Sequence, residues 1–366
     1  MIKGKATPEG TAAFAKNRPR AHERHWKSAL GLTLSSLGIG SYLGNADPVT
    51  DGKYAASLVK ALEAGVNVID SAINYRYQRS ERNFGAGLQK AIDSGAVSRD
   101  QVLICTKGGF IAGDMGPPTK EWFEENFLKP GIVTPADFVA GAHCMTPKYL
   151  RHEVEQSLKN FGVETLDVYY VHNPETQIPQ VGEAEFYARL TAAFRELEAI
   201  AGEGKIQFYG AATWHGFRVP SAHESHLSIE KTLACAEAAG GKEHRFRVIQ
   251  LPMNFGLPEA LSHASQTVDG NPAPALEAAR AAGLTVFTSV PLMQGQLLGR
   301  FGPEFKPKFP GLKTDAQRCL QFVRSIPGVT APLCGMKDVE HVAENTAVCA
   351  AAPFTTEEFN ALIGRA

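Results

Sequence analysis

The chain has 366 residues, 44% of them hydrophobic and 20% charged, and its 37 basic side chains balance 38 acidic ones to a formal net charge of −1. That balance leaves no basic excess or stripe for a nucleic-acid backbone, and no apolar run reaches the ~18 residues of a membrane span. The six cysteines (Cys105, Cys144, Cys235, Cys319, Cys334 and Cys349) form no CxxC pair. Neither a disulfide framework nor a metal site is therefore expected, and a reducing, cytoplasmic compartment fits.

Residues 1–25 are mildly basic and lack the apolar stretch of a secretory signal, so they read as an N-terminal arm ahead of the fold. From residue 26 to 366, short β-branched runs alternate with helical stretches as in one domain. The first strand is predicted at Leu34–Ile39. A helix over Tyr54–Ala64 follows, ended by Gly65 as a C′ glycine. The second strand, Val66–Asp70, leads to a helix over Glu81–Ile92 with Ser80 as its N-cap. The third strand is Val102–Lys107. It is separated by a long connection, 108–145, from a helix over 147–160 whose Leu150, Val154 and Leu158 share one face. Connections of that length are usually functional or disordered. This one carries Phe110, Trp122, Phe123, Phe127, Phe138 and His143, an aromatic content that argues against disorder.

The remaining strands are predicted at Asp167–His172, Phe208–Thr213, Val248–Asn254, Thr285–Val290 and Thr330–Cys334. Helices are expected over Glu183–Ala201, Ser228–Ala239, Ala273–Ala282, Asp315–Arg324 and Val339–Cys349, with a short one over Thr355–Ile363. Most strands are nearly continuous apolar runs, as parallel strands covered on both faces require. Eight strands alternating with eight helices point to an α/β fold of the (β/α)8 TIM-barrel kind, with a long insertion after strand three. The rival, a doubly wound open sheet, wants a glycine-rich turn after an early strand. The second strand here ends instead in DSAINYRYQRSE, with no glycine.

In such barrels functional side chains gather at the C-terminal ends of the strands. Asp70 ends strand two, with Tyr75 five residues on; Lys107 ends strand three; His172 ends strand four. Taken singly, each is a solvated strand-end charge or a hydrogen-bonded structural residue. Taken together, they converge on one mouth.

The stretch VNVIDSAINYRYQRSERNFGAGL resembles the signature of the aldo-keto reductase superfamily, in which an Asp, a Tyr five residues later and a Ser-Glu pair open the second unit. LGLTLSSLGIGSYLG, VLICTKGG, LDVYYVHNPE, GKIQFYGAATW, VIQLPMNF, SVPLMQGQLLG and GMKDVEHVAEN resemble that family's other strand segments, in its order, over roughly residues 26–350. The resemblance implies reduction of an aldehyde or ketone by hydride transfer from NADP(H), with NAD(H) as an alternative. It implies Asp70, Tyr75, Lys107 and His172 as catalytic residues and a small carbonyl or alcohol as the substrate. A phenol with a pKa of about 10 is a reluctant acid. An ammonium at Lys107 lowers that value, and Asp70 holds the ammonium charged. Tyr75 would then act as the general acid, and His172 would help hold the substrate oxygen.

The same resemblance implies that Gln250 contacts the carboxamide, and that Leu292, Gln294 and Gly295 cover the pyrophosphate. Gly335, Lys337, His341, Glu344 and Asn345 are assigned to the adenosine end, with Thr213 and Ser289 lining the cofactor site. Tyr42, Phe110 and Trp214 are assigned to substrate contact. Three positions depart from the family's habit: Ala212–Thr213 replaces Ser-Asn, Ser289 replaces an aromatic, and His341 replaces an Arg. Lys337 is expected to supply the missing positive charge. The 108–145 insertion is expected to wall the substrate pocket, or else to pack its aromatics on the outer helices. Two other functions remain: a cofactor-binding redox-sensing or scaffold subunit with slow turnover, and an aldolase using Lys107 as a Schiff base. The second would need a partly neutral lysine, which Asp70 opposes.

Overall fold

The computed structural model describes residues 1–365. Its centre is a closed barrel of eight parallel strands. In chain order the strands of the molecule are β1 (Trp26–Ala29), β2 (Leu32–Ser35), β3 (Gly38–Gly40), β4 (Val68–Asp70), β5 (Leu103–Gly108), β6 (Leu166–His172), β7 (Ile206–Ala212), β8 (Phe246–Pro252), β9 (Gln266–Val268), β10 (Asn271–Ala273), β11 (Thr285–Ser289) and β12 (Val329–Gly335). The barrel closes in the order β3-β4-β5-β6-β7-β8-β11-β12. Its interior is packed with Val68, Leu103, Val168, Tyr170, Val248, Phe287 and Ala331, while a larger cluster fills the space between strands and helices. Apolar layers on both sides of each strand explain the continuous hydrophobic runs of the sequence.

The predicted first strand divides in two. Leu32–Ser35 pairs antiparallel with Trp26–Ala29, and only Gly38–Gly40 joins the barrel. Leu32 and Leu34 turn into the barrel's interior cluster, so the hairpin plugs the N-terminal end. An apolar run that alternates through a plug and then enters a barrel gives one hydrophobic signal for two elements. Residues 1–25, read as an arm, fold against the same floor. A helix spans Pro8–Lys16, capped by Thr7 and fixed by the buried ring of Phe14. Ile2 bridges to Val163, and the Ala6 amide donates to Asp167 at 2.8 Å.

The other helices follow the expected order with shifted ends. The first barrel helix begins at Pro48 rather than Tyr54, because Asp47 caps it through Thr50 N at 2.7 Å. The next begins at Arg79 after a left-handed Gln78, without the Ser80 cap. The short β9–β10 hairpin lies outside the expected set. No helix among the described residues is long and apolar enough to cross a membrane.

Candidate active site

Asp70 is the last residue of β4, and Lys107 lies beside it on β5. Register pairs Asp70 with Cys105, so Lys107 stands two residues further along and on the same face of its strand. Its Nζ donates to Asp70 Oδ2 at 2.6 Å and to the Ser71 carbonyl at 2.7 Å. Gln250 on β8 donates from Nε2 to Asp70 Oδ1 at 2.9 Å. Both charges are buried. Burial alone would push the Lys107 pKa down, but Asp70 and Tyr75 more than offset it and hold the ammonium above the ordinary lysine value. Burial pushes the Asp70 carboxyl up, opposed by Lys107 and Gln250.

Tyr75 lies over this pair, with Lys107 Nζ 4.9 Å from its ring centroid. The backbone that delivers it is unusual. Arg76, Tyr77 and Gln78 follow in succession with φ of 50°, 56° and 67°, a left-handed turn costing ~1–3 kcal/mol per residue. Neighbours over-determine it. Arg76 donates to the Asn45 carbonyl at 2.8 Å and pairs with Asp51 at 2.5 Å. Gln78 donates to the Gly113 carbonyl at 3.1 Å, and Arg79 pairs with Asp51 at 2.6 Å. Strain concentrated beside one phenol, and held from two directions, is what a functional turn shows.

The Tyr75 pKa departs from the sequence expectation. Burial raises it and outweighs the lowering by Lys107, so the phenol stays above its ordinary value. Desolvation, which no local sequence pattern reveals, outweighs the nearby ammonium. Opposite, the His172 ring lies 5.8 Å from Tyr75, edge to face. Burial and the Lys107 charge push its pKa well down, so the imidazole is neutral.

A cavity of about 740 Å³ opens above these groups, within the ~300–1,000 Å³ of small-molecule sites. Asp70, Tyr75 and His172 reach it, whereas Lys107 stays behind them, buried. The residues assigned to cofactor or substrate contact all line this one cavity: Tyr42, Phe110, Thr213, Trp214, Gln250, Ser289, Leu292, Gln294, Gly295, Gly335, Lys337, His341, Glu344 and Asn345. Tyr42 and Trp214 form its exposed lip, at 55% and 40% exposure. Gln250 lines the cavity and commits an amide N–H to Asp70.

The loop after β11 is an irregular turn that lines the cavity, with the amides of Met293, Gly295 and Gln296 closed onto its own carbonyls. Val290, Met293 and Gln294 take φ of 50°, 49° and 55°, followed by Gly295 at 88°. A β-branched valine with positive φ is an outlier. Asn254 fixes it by donating to the Val290 carbonyl at 2.9 Å. Successive positive φ values of this kind are found in phosphate-binding turns, and the amides of Leu292 and Gln294 have no backbone acceptor among the described residues. Lys337 lies further along the same cavity and is in no ion pair among the described residues. The residues present therefore fit an elongated, phosphate-bearing nucleotide. No cluster of three or more His, Cys, Asp or Glu side chains among the described residues is placed to hold a metal.

The insertion corrects an expectation. Of residues 108–145 only Phe110 reaches the cavity. Trp122, Phe123, Phe127 and Phe138 pack together and against Tyr149 of the helix Pro147–Phe161. Phe127 is buried there and the other three rings are half-buried, so packing on the helix removes apolar surface that an open mouth would leave wet. Sequence reasoning also passed over Asn74, Asn173 and Cys334, which line the cavity. It passed over Glu175 too, whose buried Oε1 accepts the amides of Trp214, His215 and Gly216 at 2.7, 3.0 and 3.3 Å. The motif HNPE holds both Asn173 and Glu175 and was the available signal.

A model of the aldo/keto reductase family matches residues 36–237. Over 186 residues the chain is 25% identical to the NADH-specific methylglyoxal reductase of Escherichia coli (strain K12), covering 50% of this chain and 49% of that one. Over 191 residues it is 28% identical to D-threo-aldose 1-dehydrogenase of Pseudomonas sp, covering 50% and 51%. A putative voltage-gated potassium channel subunit beta of Schizosaccharomyces pombe is 25% identical over 204 residues, covering 56% and 48%. The chain thus spans about half the length of the curated relatives it matches. Among solved structures, an aldo/keto reductase from Klebsiella pneumoniae in complex with NADP and acetate superposes with a TM-score of 0.60 at 18% identity, over 91% of both chains. The holo form of an aldo-keto reductase from Bacillus halodurans gives 0.61 at 19%, over 94% and 96%. At such identities the likeness bears on the fold.

Proposed function

Because the chain belongs to the aldo/keto reductase family, we propose that it is an oxidoreductase that reduces an aldehyde or ketone to an alcohol with NADP(H), NAD(H) being the alternative. One observation carries the reading: a buried Lys107–Asp70 pair beneath Tyr75, with neutral His172 across the same cavity. A nicotinamide dinucleotide would supply the hydride. The protein's task is then the substrate oxygen. Tyr75, protonated at neutral pH as any phenol is, donates the proton there; burial raises its pKa, so the opposing Lys107 charge is what eases the transfer. As the proton leaves, the Lys107 ammonium stabilises the phenolate. His172, uncharged, adds a second polar contact to the oxygen as charge develops on it. Val290–Gly295 would hold the pyrophosphate, Thr213, Gln250 and Ser289 the nicotinamide end, and Lys337, His341, Glu344 and Asn345 the adenosine end. Tyr42, Phe110 and Trp214 would meet the substrate.

The test is Tyr75→Phe. It should keep NADPH binding while lowering kcat by roughly 10²–10⁴, the span of general-acid catalysis; a variant retaining more than about half of the wild-type rate refutes the assignment. Borohydride trapping separates the aldolase reading, which the charged Lys107 disfavours. A second reading has one observation behind it, the relative named as a channel subunit beta. Tightly retained cofactor with very slow turnover across a carbonyl panel would favour a redox-sensing or scaffold subunit.

A further inference from the structure

The long insertion returns to the barrel at a specific point. Strand β5 pairs with β6 up to Gly108 opposite Val171, and then Gly109, with φ of 141°, turns the chain away. The next carbonyl of β6, that of His172, thereby loses its neighbour on this side. His143, from the far end of the insertion, takes the place: its Nε2 lies 2.8 Å from the His172 carbonyl oxygen. The fit is close enough to require the glycine, since a Cβ at Gly109 would stand 3.0 Å from His143 Nε2 and 3.1 Å from the His172 oxygen. The two ends of the insertion are tied into a short ladder. Ile111 N donates to the Ala142 carbonyl at 2.9 Å and Cys144 N to that of Gly109 at 2.8 Å.

The tautomer follows from the partners. A carbonyl only accepts, so His143 Nε2 carries the hydrogen and Nδ1 is free to accept. Gln177 Nε2 lies 3.1 Å from that Nδ1 and donates to it. Arg189 Nη1 donates to Gln177 Oε1 at 3.3 Å, which fixes the orientation of the amide. Arg189, Gln177, His143 and the His172 carbonyl thus form one directed chain. Burial keeps the His143 ring neutral, with its pKa lowered to about 4, so the chain persists through the physiological range. Phe110 completes the support, its ring edge-on to His143 at 4.9 Å and to His172 at 5.2 Å.

We propose that His143 is a positioning residue: it holds the end of β6, with Phe110, so that the His172 side chain faces Tyr75 across the mouth. The insertion therefore acts on the chemistry through its root, Phe110 and His143, and not through its aromatic cluster. This rests on the reductase reading for its kinetic consequence, but the geometric claim stands apart from it. His143→Phe keeps a ring beside Phe110 and removes the donor; His143→Gln keeps a donor and removes the ring. Two readouts are taken on variants whose melting transitions remain cooperative. In ¹⁵N-histidine NMR, the His172 ring signals should move in His143→Phe and stay nearer the wild type in His143→Gln. With a carbonyl substrate, kcat in His143→Phe should fall roughly 10–100-fold, as for a displaced catalytic contact, with the NADPH dissociation constant unchanged and His143→Gln in between. Unmoved His172 signals in folded His143→Phe overturn the proposal. Moved signals without any wild-type turnover leave the positioning intact and refute the reductase reading instead. A common loss of kcat and NADPH affinity in both variants, with His172 unmoved, marks a merely structural histidine.

Discussion

The barrel buries a carboxylate–cation pair at each end, and the two are built differently. At the floor, Asp167 accepts four hydrogen bonds: from Ala6 N at 2.8 Å and Gln207 at 2.6 Å on Oδ1, and from Arg99 at 2.9 Å and Ile104 N at 2.7 Å on Oδ2. Arg99 also donates to the carbonyls of Val102 and Thr165. At the mouth, Asp70 accepts from only Lys107 and Gln250. The groups around it, Tyr75 and His172, face the cavity, and His172 Nδ1 is buried with no partner. A buried carboxylate whose two oxygens each accept two hydrogen bonds from the protein stitches chain segments together; here Asp167 ties residues 1–25, β5, β6 and β7 together, while Nε of its partner Arg99 stays unpartnered. An unsaturated one beside a cavity keeps capacity for a ligand. Burial and charge alone do not separate the two cases. The count of protein partners does.

The contrast is sharpest in what each pair loses when broken. Lys107→Met should lower kcat by roughly 10²–10⁴ with little change in melting temperature. The stability is spared because burial already pushes the Asp70 carboxyl towards its neutral form, so it takes up a proton when its partner is removed. A large drop in stability with kcat intact would make the mouth pair structural and erase the distinction.

Asp167→Ala should do the reverse. It leaves Arg99 without its counter-charge and frees the amides of Ala6 and Ile104, a loss of ~3–5 kcal/mol as for other broken buried pairs. Urea unfolding reads the stability, and kcat per folded molecule should match the parent. Truncation of residues 1–7 removes the Ala6 contact to Asp167 together with the Ile2 bridge to Val163 and the Thr7 cap, so it too should lower stability and leave kcat per folded molecule unchanged.

How far the sequence disclosed this difference can be followed residue by residue. The mouth was legible because its side chains are polar and sit at the ends of apolar runs, where nothing but function or solvent explains them. Seven of the eight barrel strands were legible as continuous apolar runs, whereas the first was displaced because its run continues through the hairpin that plugs the floor. The floor was not. Asp167 stands at the start of an apolar run and reads as a strand boundary, and its partners come from positions 6, 99, 104 and 207, which no local pattern joins. The left-handed turn at Arg76–Gln78 was invisible because no glycine or asparagine marks it; only the surrounding Arg–Asp51 pairs make it stable. The insertion's aromatics announced order correctly, but composition does not say which surface they cover. That was settled by Tyr149, an apolar position on the outer helix.

A smaller effect is expected at the far end of the cavity. Lys337→Ala should weaken NADPH about tenfold, the scale of one charge-assisted contact to phosphate, and leave NADH unchanged. Fluorescence titration with both cofactors decides it. Equal affinities for the two in the parent protein would remove Lys337 as a phosphate partner and move the cofactor preference towards NAD(H).

The smallest effect concerns a third buried acid, which belongs to neither end. Glu153, on the helix Pro147–Phe161, packs behind Gly108, where a Cβ would stand 3.1 Å from its own. It is buried, its Oε2 has no partner, and neither it nor neighbouring Glu81 is in an ion pair among the described residues. Burial, then the Glu81 charge, push its pKa well above the ordinary 4.5. Between that ordinary value and the raised one, the folded chain holds a proton that the unfolded chain has released. Stability contributed by this group is therefore complete below the ordinary value and declines as pH rises through the window. Glu153→Gln keeps the shape of the protonated acid and cannot ionise. Its melting temperature should match the parent below the ordinary carboxyl value and exceed it increasingly as pH rises above that value. A gap that is constant across that range means that Glu153 is already charged when folded. Its partner would then have to be sought among Tyr149 and Tyr169, whose hydroxyls are also buried and unpartnered. Because Glu153 touches neither the cavity nor the floor pair, kcat should be unchanged throughout, which separates this stability effect from any disturbance of Lys107 one residue away on β5.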